Sequence, residues 1–66
     1  MHQRLQALVV DMADKDIRLQ EAHAQLERLF LREVMRRAKG NQCRAAEVLH
    51  MHRNTLRRKL ERHGLL

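Results

Sequence analysis

The sequence contains no Pro, no Trp and no Tyr, one Phe, one Cys and two Gly in 66 residues. Each shortage excludes something. A single Cys cannot close an internal disulfide, which removes one of the usual staples of a very small core and leaves a metal or a partner chain. A lone domain of this length buries only about 60% of the surface that its unfolded chain exposes. With no Pro and almost no Gly, and with many Leu, Ala, Arg, Glu and Gln, little interrupts helix anywhere in the chain. No apolar run approaches the roughly 18 to 20 residues of a membrane span. The opening Met1-His2-Gln3-Arg4 leads into no apolar h-region, which predicts no signal peptide and a cytosolic setting. The lack of aromatics speaks against stacking on single-stranded RNA or DNA. It also speaks against a membrane-surface helix, which would set Trp or Phe opposite its basic residues. So short a chain leaves little room for a concave, water-excluding pocket, and most enzyme classes fall with that.

What is plentiful is charge, and it is unevenly placed. Residues 1–35 carry five basic and six acidic side chains, a net −1; residues 36–66 carry nine basic and two acidic, a net +7. A neutral half joined to a strongly basic half predicts a division of labour, in which one part assembles and the other meets a polyanion. Charge alone does not choose between DNA, RNA and an anionic membrane, or exclude a basic face kept for solubility.

Hydrophobic periodicity predicts an all-α chain. Leu5, Leu8, Val9 and Met12 form one apolar stripe of a short helix over roughly residues 3–13. Asp11 to Asp16 is a polar break whose carboxylates could cap the next helix. From Ile17 the helical pattern continues to Ala38, and Lys39-Gly40 supplies a stop. At about 1.5 Å per residue such a helix is ~33 Å long, against a radius of gyration of about 11 Å for a compact monomer of this size. It also carries two apolar stripes where a surface helix needs one. Leu19, Ala22, Leu26, Leu29 and Phe30 are expected to pack on the first helix and its copy in a second chain. Ile17, Ala24, Leu31, Val34, Met35 and Ala38 are expected to receive the C-terminal helices. A coiled-coil seam is the competing reading of the same pattern. Asn41 is a good N-cap for a two-turn helix over Gln42 to Leu49, with Ala45, Ala46, Val48 and Leu49 inward. His50-Met51-His52 makes a tight turn plugged by Met51, and Arg53 to Arg62 forms the last helix, with Leu56 and Leu60 inward and Gly64 at its end. Helix, tight turn and basic helix is the arithmetic of a helix-turn-helix over residues 41–63.

From the residues alone, Asn41 and the free N–H groups behind it make an anion site at a helix N-terminus. Arg53, opening the last helix, is placed to pair with a guanine edge in the major groove or to clamp one more phosphate. Asn54 and Thr55 could touch bases or backbone. Arg57, Arg58, Lys59 and Arg62 spread over more than one face, as phosphate-gripping cations do, and Lys39 and Arg44 flank the groove.

Gly40-Asn41-Gln42-Cys43-Arg44-Ala45-Ala46, then Arg53-Asn54-Thr55-Leu56-Arg57-Arg58-Lys59-Leu60 and His63-Gly64, with Val34-Met35 ahead of them, closely resemble the Fis family of bacterial nucleoid proteins. The C-terminal domains of nitrogen-regulation-type activators are similar. The resemblance is strong over residues 34–64 and looser over 3–38. It implies a single four-helix domain over 1–66 that forms an intertwined homodimer through its first two helices (residues 1–38), and it implies binding and bending of double-stranded DNA in a cytoplasmic, nucleoid-associated setting. The dimer interface would comprise Leu5, Leu8, Val9, Met12, Leu19, Ala22, Leu26, Leu29 and Phe30. Base contacts are expected from Arg53, Asn54 and Arg57, and phosphate contacts from Lys39, Asn41, Cys43, Arg44, His52, Thr55, Arg58, Lys59 and Arg62. Other readings are the effector domain of a larger activator and a basic helical module for acidic protein partners.

Three departures from the family pattern stand out. His50 fills a turn position usually held by Gly. Cys43 stands where Thr or Ser is common, which removes a strong phosphate hydrogen-bond donor. No β-hairpin arm precedes the first helix, so stimulation of a recombinase is not implied. Cys43, His50 and His52 lack the ligand number and spacing of a zinc site, so no metal and no cofactor are expected. Cys43 as a redox switch is the less favoured reading beside a small helix-face residue. Glu47 and His50 look like an acid–base pair, but no nucleophile or pocket accompanies them, and neither an enzyme nor a small-molecule substrate is expected. The five His residues would add charge below pH ~6.5.

Overall fold

The computed structural model describes residues 2–66; Met1, the first residue of the expected domain, lies outside them. Four helices follow one another: α1 (His2–Asp14), α2 (Leu19–Arg37), α3 (Gln42–Leu49) and α4 (Arg53–Arg62). The described residues contain no strand. The second helix is shorter than its periodicity predicts, 19 residues in place of Ile17 to Ala38.

The way the helices end sets their order in space. Behind each of the four, an N–H reaches back five residues, from Ile17 to the Met12 carbonyl, Gly40 to Met35, Met51 to Ala46 and Leu65 to Leu60, at 3.3, 3.0, 3.0 and 2.8 Å. The residue before each of those donors is left-handed: Asp16 (φ 56°), Lys39 (φ 55°), His50 (φ 55°) and Gly64 (φ 67°). These are Schellman stops, which satisfy the orphan carbonyls of the last turn and aim an apolar residue back at the helix it has left. Met51 and Leu65, delivered in this way, pack against the core. Only one of the four positions is Gly. At the end of α2 the expected Lys39-Gly40 stop has both residues at positive φ, 55° and 80°, with Lys39 taking the left-handed place of the motif.

The expected carboxylate cap on α2 is absent. Its N-cap is Arg18, which makes no side-chain capping bond. The cause is the same geometry: Asp16 is used to terminate α1, and Asp11 is paired with Lys15 at 3.0 Å.

The core lies almost entirely in the C-terminal half. Leu31, Val34 and Ala38 of α2 and its C-cap meet Ala45 and Ala46 of α3 and Leu56 and Leu60 of α4, with Met35, Leu49, Met51 and Leu65 packed around them. The second stripe of α2 thus receives the C-terminal helices as expected, but only from Leu31 onward; Ile17 is half-buried in the turn after α1 and Ala24 is exposed. Val48 is not inward. It is 60% exposed, because Ala45 and Ala46 already fill the approach of α3 to α2. No described residue of α1 is buried.

The first stripe of α2 meets α1 without being closed over. Leu5, Leu8, Val9, Met12, Ala13 and Ile17 line an open groove of about 460 Å3 with Leu19, Ala22, His23 and Leu26. Leu19 remains 73% exposed. Phe30 lies further along, on a second groove of about 410 Å3 that includes Val34, Ala38 and the outward Val48. The molecule is elongated, 37 × 24 × 17 Å with a radius of gyration of 13.3 Å.

Candidate nucleic-acid interface

The start of α3 is built to present backbone donors. Asn41 is extended (φ −81°, ψ 104°), and its side-chain oxygen accepts from the Arg44 N–H at 3.1 Å. That satisfies the third N–H of the helix and leaves those of Gln42 and Cys43, which have no intrahelical acceptor, free for an anion. The tight turn then reverses the chain through the left-handed His50. His52 opens α4 by a related device: its ring Nδ1 accepts from the Asn54 N–H at 3.0 Å. In the neutral ring the proton must then sit on Nε2, which can donate to a phosphate oxygen.

The two helix starts face each other across a cleft of about 420 Å3 lined by Gly40, Asn41, Gln42, Cys43, Arg53, Asn54 and Arg57. Five residues expected at the interface are thereby brought together: Asn41, Cys43, Arg53, Asn54 and Arg57. Arg53 spans the cleft, its Nη1 donating to Cys43 Sγ at 3.4 Å. A thiol is a weak acceptor, so the guanidinium is oriented by it yet keeps its remaining N–H donors. Arg57 is loosely held by Glu61 at 3.3 Å, an exposed pair of the kind that contributes little. A neighbouring cleft adds Arg58 to Asn54, Arg57 and Glu61.

Other expected contacts lie elsewhere. Arg44 is on the far side of α3, against the groove of Phe30, Glu33 and Arg37. There Glu33 accepts from Arg36 at 2.6 Å and from Arg37 at 2.8 Å, and these hydrogen bonds, Arg36 first, hold its carboxyl down at about 2. Lys39 is exposed and left-handed, and Thr55 is half-buried. Arg62 lines a hollow with Gln20, His23, Ala24, Glu27 and His63. Lys59 points to α2, where its Nζ meets Glu27 Oε2 at 2.9 Å. The other Glu27 oxygen accepts from His63 Nε2 at 2.8 Å. His63, then Lys59, hold the Glu27 carboxyl below its ordinary value of 4.5. Glu27 and His63 escaped sequence reasoning, although one signal was present. Glu27 stands one helical turn before Leu31 on the face that Val34 and Ala38 continue, and a carboxylate on a buried stripe needs a partner.

Among the described residues no group of three or more His, Cys, Asp or Glu could hold a metal ion. Nor, among them, is any helix long and apolar enough to cross a membrane.

Residues 23–63, which include the whole of this interface, match the family model described as bacterial regulatory protein, Fis family. The chain belongs to the Fis family. Its α3–turn–α4 unit is the family's helix-turn-helix, as Gly40-Asn41-Gln42 and Arg53-Asn54-Thr55-Leu56 indicated. Fis-like DNA-binding proteins of Ralstonia nicotianae and Neisseria meningitidis are 54% identical over 41 residues and 50% over 42, covering 62% and 64% of this chain and 53% of each relative. The DNA-binding protein Fis of Buchnera aphidicola is 43% identical over 42 residues, 64% of this chain and 42% of its own. The chain therefore spans about half the length of the curated relatives it matches. No solved structure matches it.

Proposed function

We propose that this Fis-family chain binds double-stranded DNA as a homodimer, α4 entering the major groove and the start of α3 gripping the flanking phosphate, and that it bends the duplex as a regulator or organiser of DNA. The observation that carries this reading is the cleft between the two helix starts. It combines unpaired N–H groups, Arg53, Asn54 and Arg57 on one concave face, in a half of the chain with a net charge of +7. Arg53 is assigned to a guanine edge and Asn54 and Arg57 to neighbouring bases. Asn41, Cys43, His52, Thr55 and Arg58 are assigned to phosphates near the cleft, and Lys39, Arg44 and Arg62 to more distant ones. The names of the relatives support DNA as the polyanion.

The dimer is supported by the surface that one chain leaves open. The α1–α2 groove and, further along α2, the exposed Leu29 and Phe30 leave apolar side chains uncovered on the half without a core of its own. Two recognition helices in so small a dimer sit closer than the ~34 Å repeat of straight DNA, so both engage only if the duplex bends.

Selection of bound fragments from random duplex, followed by titrations at several salt concentrations, tests the reading. An enriched motif and a slope of log K against log[salt] of about −7 to −11 are expected for roughly 8 to 12 neutralised phosphates. Arg53→Ala should weaken the selected site more than a scrambled duplex, by ~1–3 kcal/mol. Arg62→Ala should weaken both alike and flatten the slope by about one for each phosphate no longer neutralised. The absence of any enriched motif would favour the protein-interaction module instead.

A further inference from the structure

Four cations of α4 are exposed and one is not free. Lys59 lies about 200° around the helix from Arg57 at 100° per residue, so it faces away from the cleft and toward α2. Its side chain is 27% exposed, and that of His63 only 9%. Both converge on Glu27, one to each carboxylate oxygen, at 2.9 and 2.8 Å. Glu27 carries a charge and accepts, so His63 must donate from Nε2. The next residue of α2 completes the grip: Arg28 Nε donates to the His63 carbonyl at 3.3 Å. The buried contacts of α4, Leu56 and Leu60, run along one face from its first turn to its last, and beside Leu60 these polar bonds, together with Leu65, tie the end of the helix to α2.

We infer that Glu27 is a positioning residue of the DNA-binding surface, which through Lys59 and His63 fixes the angle of α4 on α2 and withholds Lys59 from the phosphates. The inference rests on the DNA reading given above. The apolar contacts of Leu56 and Leu60 hold one face of this ten-residue helix but carry no directional bond, so the helix can roll about them; the two directional bonds of the clamp, beside Leu60, resist that roll. Rotation would move Arg53 and Asn54 relative to the start of α3 and so affect a base-reading contact more than diffuse phosphate attraction. The charge of Lys59 is already neutralised by a carboxylate, so it displaces no counterion when DNA binds.

This separates the clamp from an ordinary stabilising ion pair. Lys59→Met and Glu27→Gln are titrated beside the unaltered protein, on the selected and scrambled duplexes, at several salt concentrations, with helicity monitored by circular dichroism. Lys59→Met should lower discrimination between the duplexes and leave the salt slope unchanged. Glu27→Gln should also lower discrimination, but steepen the slope by about 0.9 for each Lys59 released to a phosphate. A pair that only stabilises the fold would not steepen it. A slope flattened in Lys59→Met would make Lys59 a phosphate contact and overturn the clamp, as would slope and discrimination left unaltered in Glu27→Gln. If the unaltered protein failed to bind duplex, the DNA reading itself would fall and the inference with it. Changes confined to the variants bear on the clamp alone.

Discussion

At the scale of single residues, the backbone is under more tension than the composition suggests. His50 ends α3 with φ 55° and ψ 44°, a left-handed conformation in which a Cβ crowds the following carbonyl. Glycine avoids that contact. His50→Gly should therefore stabilise the protein by about 1 kcal/mol and raise the melting temperature by about 4–8 °C for a domain of this size. Thermal unfolding at fixed chain concentration checks it, and a lower midpoint would mean that the His50 ring has a role in the fold. This position was readable in the sequence, because the family pattern puts Gly there. Lys39 was not, because Gly40 beside it is the residue that sequence reasoning assigns to a left-handed stop. Asn41 was readable as a cap from its place before an apolar-periodic run, and its bond to Arg44 N–H shows why. The Arg53–Cys43 contact joins residues ten apart on two helices, and no local pattern encodes such a meeting.

At the scale of the elements, α3 and α4 were legible to the residue, since Asn41, His50, His52 and Gly64 punctuate them and their apolar positions are few. The start of α2 was not. Acidic residues ahead of a helix read as caps whether they cap it or close the helix before, and here Asp16 closes α1. Val48 misled for a related reason: the apolar residues of one short helix cannot all face a single neighbour. The pairing of α2 with α4 has a pH signature. The pKa of Glu27 is lowered in the folded protein by hydrogen bonds from His63 and Lys59. Its contribution to stability is thus complete above the ordinary carboxylate value of 4.5 and is lost as pH falls below that value through the lowered one. His23 and Arg62 line the same hollow. The difference in melting temperature between the unaltered protein and Glu27→Gln should be constant near neutral pH and shrink as pH falls below 4.5. A difference independent of pH in that range would show that the carboxylate charge is not what holds α4.

At the scale of the whole molecule, the chain is two halves with unequal means of staying folded. Among the described residues, every buried hydrophobic side chain lies at position 31 or later. The half before it leaves apolar surface open, which the proposed dimer covers with a second copy of the same half. Sedimentation should give a dimer at micromolar concentration. Leu26→Asp, which puts a charge into the α1–α2 groove, should yield monomers with less helix and, at the same concentration, little DNA binding. A folded 7.9 kDa monomer for the unaltered chain would refute the assembly. That no described residue of α1 is buried also has a meaning in time. In the proposed dimer, with only an open groove on α2 to hold them within their own chain, the amide protons of α1 should exchange whenever the partner leaves, whereas those of α4 wait for the chain's own core to open. The first helix therefore keeps the clock of the complex and the last keeps the clock of the fold. Diluting the protein speeds one and leaves the other running at its own rate.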